Sequence, residues 1–415
     1  MRARAGALVV TSLVAASAGC DSLFGVDFGA ARPRGPTSGS GGSGGDGTGG
    51  SDAGWVVLPL PVDTDNVTAT YCDAVDHCVV ATEGAGFAAG RLLAATSESV
   101  IEVVFEGDTI ADGARFSRLM PTPSGLVALI DRAEPLVMAD EDFTDPRAWR
   151  TVDPGHLGSF EGVLNPQLWF QWNANGAQLG LRGVVLAANG PPGPLTQWDA
   201  TWSPPSIPSN YLDLVLADAT ICGSAPSGGR GPVGFVSDDT QQLVFPVGNG
   251  FGDDPDRPGA CVSLDAGLTF RHAKLPDGEV AFGGPHGLRC NDVEHCWAFG
   301  DGGATEPSYL YRSTTSLTVG MDWVRGQIPD GPERTFRDVA FAPDNLHGWL
   351  VGSEAPGRGL VLVSEDGGAT WSENVVEDHP AFEGAELRSV FALDDRRIWV
   401  GGEDGLLLSS DRGGR

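Results

Sequence analysis

From Trp55 onward the chain alternates short apolar runs with Gly, Asp and Pro punctuation. Runs such as VVATEG, GLVALI, GLVLVS and RIWVGG are each a few residues long, and none grows into a 3.6-residue apolar repeat. This pattern predicts many short strands joined by tight turns. Composition agrees: 60 Gly and 29 Pro beside 41% hydrophobic residues describe a turn-dense chain with enough apolar surface for a packed core.

Three stretches then align with one another: GLRCNDVEHCWAFGD (287–301), FRDVAFAPDNLHGWLVGS (336–353) and LRSVFALDDRRIWVGGED (387–404). Each is an apolar strand, a polar turn holding Asp or Asn, and a second strand carrying a Trp. Trp297, Trp349 and Trp399 recur at intervals of about 50 residues, the period of propeller blades built from several short strands. A further motif falls later in each repeat. SLDAGLTF places Ser263, Asp265, Gly267, Thr269 and Phe270, and SEDGGATW places Ser364, Asp366, Gly368, Thr370 and Trp371, in one pattern: S-x-D-x-G-x-T-aromatic. That pattern resembles the Asp-box, the BNR repeat of sialidases, sortilin-type receptors and photosystem II assembly factor propellers. The resemblance implies an all-β β-propeller in which the box braces the turn between a blade's third and fourth strands. Ser and Asp satisfy turn amides, Gly takes a positive φ and the aromatic packs between blades.

The chain ends LLLSSDRGGR, which opens such a box at Ser409, Asp411 and Gly413 and then stops. GWVVLPLP, residues 54–61, supplies an aromatic and a strand at the other end, so the N-terminal strand is expected to complete the last blade. Counting an aromatic before a Pro-containing turn as a fourth strand gives Trp55, Phe116, Trp149, Trp202, Phe270, Trp323 and Trp371, hence seven blades. The interval from Phe116 to Trp149 is short, so six or eight stay open. The acidic stretch 229–256 is expected to be an insertion projecting from one rim.

CDAVDHC and CNDVEHC repeat a Cys–His–Cys turn. Across a tight hairpin turn the two Cys are cross-strand neighbours, which predicts the disulfides Cys72–Cys78 and Cys290–Cys296. A metal is disfavoured, because adjacent His and Cys on a strand face opposite ways and each copy supplies only three ligands. Cys222 and Cys261, placed on the second and third strands of one blade, form the expected third pair. No metal and no cofactor are expected.

The first 19 residues read as an export signal, with Arg2 and Arg4 before an apolar stretch too short to span a bilayer. SAGC resembles the lipobox of bacterial lipoproteins, which implies lipidation of Cys20; Ser17 departs from the usual Leu. Residues 20–54 are then a Gly/Ser-rich tether and 55–415 the propeller. The six remaining Cys suit an oxidising compartment. The expected location is the cell envelope, anchored by lipid alone, with the outer membrane favoured and the domain in the periplasm or at the surface.

A formal net charge of −29 and a single lysine, Lys274, argue against nucleic acid and against lysine-based chemistry. The sialidase resemblance implies an Arg triad and a Tyr–Glu pair, but no Arg-Ile-Pro motif occurs and only four Tyr are present. The expectation is a monomeric, non-catalytic module that binds a protein or a glycan. A glycoside hydrolase using paired carboxylates is the alternative.

Overall fold

The strands of the computed structural model fall into seven antiparallel sheets that follow one another along the chain. The structure describes residues 54–414 apart from several connecting loops, and residues 153–261 as strand backbone alone. Sheet 1 runs Asn66–Ala74, His77–Glu83, Arg91–Ala95, Val100–Glu106, and sheet 2 runs Arg115–Thr122, Gly125–Asp131, Leu136–Ala139, Trp149–Val152. Sheets 3 and 4 occupy residues 167–215 and 235–274. Sheet 5 comprises Gly287–Cys290, Cys296–Gly300, Tyr309–Ser313 and Trp323–Arg325; sheet 6 comprises Arg334–Phe341, Gly348–Glu354, Arg358–Ser364 and Ser372–Glu373. Sheet 7 takes Leu387–Ala392, Ile398–Gly402 and Leu407–Ser410 from the C-terminus and Trp55–Val57 from the N-terminus. This is an all-β propeller.

Second and third strands are buried along nearly their whole length, as in Cys296–Gly300 and Ile398–Gly402, because they are covered on both faces by neighbouring sheets. Hence the short unbroken apolar runs in the sequence. Apolar clusters bridge sheets 4 and 5, 5 and 6, 6 and 7, 7 and 1, and 1 and 2. Trp297, Trp349 and Trp399 each fill one such junction and are at most 2% exposed. Trp297 stacks on Phe341 of the next sheet with centroids 3.7 Å apart. That packing needs Gly348, where a Cβ would fall 2.3 Å from the Phe341 ring.

From sheet 5 through sheets 6, 7 and 1 to sheet 2, each first strand lies against the first strand of the next sheet, which sets these strands around the axis. Four of them carry a β-bulge at the same place, and the extra residue is polar each time: Thr68, Ser117, Arg337 and Arg388. A bulge re-aims one side chain without disturbing the apolar face on either side of it.

The ring closes as expected, with Trp55, Val56 and Val57 paired to Ser410, Ser409 and Leu408. Two of the counted aromatics are placed otherwise. Phe116 lies on the first strand of sheet 2, against Phe105 of the true fourth strand of sheet 1 at 6.2 Å. Trp202 ends a third strand, and Leu214–Val215 follows as the fourth. The stretch expected as an insertion supplies the first two strands of sheet 4, Phe235–Val236 and Leu243–Val247. The second strand of that sheet, Leu243–Val247, does not include Cys222, which lies outside the described residues, while Cys261 is on the third strand, Gly259–Ser263.

Candidate functional site

The Asp-box of sheet 6 shows what the motif does. Ser364 Oγ accepts the Gly368 amide at 2.8 Å and donates to Asp366 Oδ1 at 3.0 Å. Asp366 also accepts the Thr370 amide at 2.8 Å and the Thr370 hydroxyl at 2.7 Å. Partial burial works against the Asp366 charge, but the Thr370 and Ser364 bonds hold its carboxyl below the usual range. Gly367 and Gly368 take φ of 72° and 85°, which favours glycine at both positions. All of this carboxylate's described partners are turn groups of its own box.

The box of sheet 7 is assembled one residue later than the sequence pattern indicates. Ser410 Oγ, and not Ser409, accepts the Gly414 amide at 2.8 Å, and Trp55 pairs with Ser410 as the aromatic of the box. Ser409 Oγ instead donates to Ser97 O of sheet 1 at 2.6 Å. Arg412 thus stands where the box Asp belongs, Asp411 is exposed, and Gly413 and Gly414 take the two positive-φ places. Strand register outranks motif spacing here, because only Ser410 sits opposite the incoming strand's aromatic. The box at Ser263, Asp265, Gly267, Thr269 and Phe270 lies outside the described residues, apart from the Ser263 backbone. So do Cys20, Cys222 and the side chain of Cys261.

Cys72–Cys78 and Cys290–Cys296 are disulfides across register partners, with Cα–Cα distances of 4.1 and 4.0 Å. The neighbouring histidines serve the same turns. His295 Nδ1 meets Asp292 at 2.8 Å, His77 Nδ1 meets Asp73 at 2.6 Å, and His347 Nδ1 meets Asp344 at 2.5 Å. Arg397 with Asp394 repeats the arrangement in sheet 7. Partial burial opposes the charges of Asp292, Asp344 and Asp394, yet turn amides and these basic partners hold all three below the ordinary carboxylate range. Tyr71 is wedged edge-on between Phe143 and Phe391, 5.6 Å from each; burial, then the Asp73 charge, pushes its phenol up to about 12. It is a neutral packing ring. Tyr309 and Tyr311 are buried as well.

The opposite end of the sheets is different. There the first-strand bulges and second-strand ends build a belt of charges across sheet boundaries. Arg337 Nε of sheet 6 pairs with Glu386 of sheet 7 at 2.6 Å. Arg388 of sheet 7 reaches Glu83 of sheet 1 at 2.6 Å and Glu403 of its own sheet at 2.5 Å. Glu83 also accepts from Asn66 at 2.9 Å and faces Arg115 of sheet 2 at 3.8 Å. Deeper along the axis, buried Asp338 ties three sheets together. Arg289 of sheet 5 donates to it at 2.8 and 3.0 Å, and the Val339 and Val390 amides donate at 3.0 and 3.1 Å. Burial pushes the Asp338 carboxyl above its usual value, against the pull of Arg289 and the two amides. Spacing alone gave no sign of these arginines, since a bulge residue falls outside the two-residue period of a strand. Among the described residues no group of three or more His, Cys, Asp or Glu is placed to hold a metal.

With this geometry in view, residues 318–415 match the family described as photosynthesis system II assembly factor YCF48. The chain carries a BNR-type propeller domain. A 53-residue stretch is 45% identical to the photosystem II stability/assembly factor HCF136 of Cyanidioschyzon merolae, covering 12% of this chain and 11% of that relative. Among solved structures, YCF48 from Cyanidioschyzon merolae superposes with a TM-score of 0.54 at 16% identity, over 86% of this chain and 98% of the other. YCF48 bound to D1 peptide gives 0.50 at 15% identity, over 86% and 96%. The GH74 enzyme of Niastella koreensis gives 0.54 at 17% identity, over 85% of this chain and 53% of the enzyme. At these identities the likeness is one of fold, and it is shared by an assembly factor and a hydrolase.

Proposed function

We propose that this chain is an envelope lipoprotein whose propeller recognises a polypeptide partner and catalyses no reaction. The observation that carries the reading is the belt Arg337–Glu386–Arg388–Glu83–Arg115, which presents alternating charges at one mouth of the ring. An extended peptide brings both donors and acceptors to such a surface. A glycan needs an aromatic face to stack on, and none of the exposed large apolar side chains among the described residues is aromatic. The net charge of −29 favours a basic segment. The solved complex of YCF48 with a D1 peptide supports the same class of ligand. The lipobox-like SAGC and the tether would hold the domain at a membrane, the outer membrane by preference, facing periplasm or exterior.

The test immobilises the full chain and a Glu386→Arg variant, which removes negative charge from the belt, over envelope extract. Retention of a protease-sensitive species, weakened by the variant and by raised salt, is the expected result. Equal retention by both proteins, or capture of a glycan alone, would overturn the reading. The GH74 likeness keeps a second reading in play: turnover of fluorogenic glycosides that one carboxylate substitution abolishes would establish a hydrolase. Detergent phase partitioning of the exported protein, with and without Cys20→Ser, tests the anchor.

A further inference from the structure

Every sheet but the last takes its fourth strand from the chain that has just formed its third. Sheet 7 takes Trp55–Val57 from the far end of the chain, held by three register pairs and by the Leu58 amide on Leu407 O at 2.8 Å. The junctions on either side of this strand each hold a buried Trp indole without a hydrogen-bond partner. Trp297 Nε1 donates to Gly367 O, and Trp349 Nε1 to Gly413 O, each at 3.0 Å into the box of the next sheet. Trp399 faces sheet 1, whose third-to-fourth turn is the short Thr96–Ser99 hairpin without a box, and its buried Nε1 has no partner. Trp371 Nε1 donates to Gly368 O at 3.2 Å within its own box, whereas buried Trp55, its counterpart in sheet 7, has none. On the outer face, Val56 and Val57 are 49% and 45% exposed.

The segment beyond the strand begins Pro59-Leu60-Pro61 and is tied down again at Asp65, which accepts the Gly405 amide and pairs with Arg91. Pro59 and Pro61 each fix one φ and remove an amide donor just beyond the strand. Gly54, at φ 70°, joins the strand to a Gly/Ser-rich sequence.

We propose that the fourth-strand slot of sheet 7 is a strand-binding site that two copies of this chain can share, each lending its Trp-Val-Val-Leu strand to the other. The occupant that fits is already defined: an aromatic opposite Ser410 followed by apolar residues antiparallel to Leu407–Ser410. A swapped pair keeps the slot contacts of Trp55 through Leu58 and changes only the connection 59–64, so exchange costs little beyond hinge rearrangement. The belt at the ring's mouth is untouched, so this stands or falls apart from the peptide-binding reading.

The experiment uses full chains in a Cys20→Ser background, one copy carrying Val56→Cys and the other Ser409→Cys, mixed and allowed to oxidise. These two positions are register partners. A Val324→Cys copy mixed with the Ser409→Cys copy measures random collision, since Val324 is an exposed valine on another sheet's fourth strand. A double variant with both cysteines in one chain reports that the slot is folded and reactive. Expected are intrachain closure of the double variant and, on mixing, a covalent dimer several-fold above the collision control. A double variant that closes while the mixture yields no more dimer than the control would overturn the proposal. So would a double variant that unfolds cooperatively yet fails to close.

Discussion

The indole of Trp349 donates to the carbonyl of Gly413, a hydrogen bond at 3.0 Å between one sheet's second strand and the next sheet's box. Trp297 and Gly367 repeat it one junction earlier. The box is therefore a socket for the preceding sheet's Trp as well as a turn brace, and it couples sheet 5 to sheet 6 and sheet 6 to sheet 7. Trp399 has lost that socket. Trp349→Phe should lower stability by about 1 kcal/mol more than Trp399→Phe, because both lose similar packing but only the first strands a carbonyl. Denaturant midpoints of the two variants, compared with the parent at equal m, check this.

The Cys290–Cys296 and Cys72–Cys78 rings are small, with a sequence separation of 6 in each. Loop-closure entropy for such a ring is about 2 kcal/mol, and replacing Cys290 and Cys296 by Ser should cost about that much. Mass spectrometry of the exported protein should find these four thiols bridged, and equilibrium dialysis should find no zinc taken up by the reduced pair.

How far the sequence carried depended on whether a feature was local. The Trp-bearing second strands, the Asp-box at Ser364–Trp371 and the two cysteine turns announce themselves because each is set by a few neighbouring residues. Closure through Trp55 was legible from two half-motifs at opposite ends. The register of that closure was not: SSDRGG offers two serines, and only pairing with Trp55 selects Ser410. The strands at 235–236 and 243–247 were hidden among Gly and Asp residues that read as an insertion. Phe116 passed for a fourth-strand aromatic because its own strand, Arg115–Thr122, ends in a Pro-containing stretch as the fourth strands do. The belt escaped altogether. Arg388 and Glu83 are 305 residues apart, and no spacing rule connects a bulge residue to the end of a strand in another blade.

Acid should loosen the turns before it reaches the core. Asp292, Asp344, Asp366 and Asp394 all have carboxyl values below the ordinary range. Each contributes stability that is present above the unfolded value of about 3.9 and is lost as pH falls through the folded value. Asp338 runs the other way. Its raised value means the folded state holds the proton more tightly, so its share of stability falls as pH rises from the unfolded value through the folded one. Among the described residues these four and Asp142, also below the ordinary range, stand against Asp338 and predict a net loss of stability on acidification below about pH 4. Asp366→Asn should be less stable than the parent at neutral pH, yet lose less on going to about pH 3, because the substituted box has no charge to surrender. Thermal melts of both proteins across that range provide the check.

Arg388 should be the most sensitive residue of the belt. Its two ends serve carboxylates on different sheets, Glu83 at 2.6 Å and Glu403 at 2.5 Å, and Glu83 is nearly buried, with 9% of its side chain exposed. Removing the guanidinium leaves that charge with Asn66 at 2.9 Å and Arg115 only at 3.8 Å. Arg388→Ala is therefore expected to cost about 2–3 kcal/mol, in the range for a charge-assisted bond to a poorly solvated partner. Lysine should rescue little of it, since a single ammonium lacks the planar fork that meets two carboxylates at once. Arg337→Ala supplies the comparison. Its side chain is 39% exposed where it pairs with Glu386, so a loss of at most about 1 kcal/mol is expected. Hydrogen exchange gives a readout that global stability does not: Arg388→Ala should speed exchange at Leu407–Ser410 and Asn66–Ala74, either side of the seam, and leave sheets 5 and 6 unchanged. Uniform acceleration over all sheets, or equal cost for the two arginines, would show that the belt does not hold this junction.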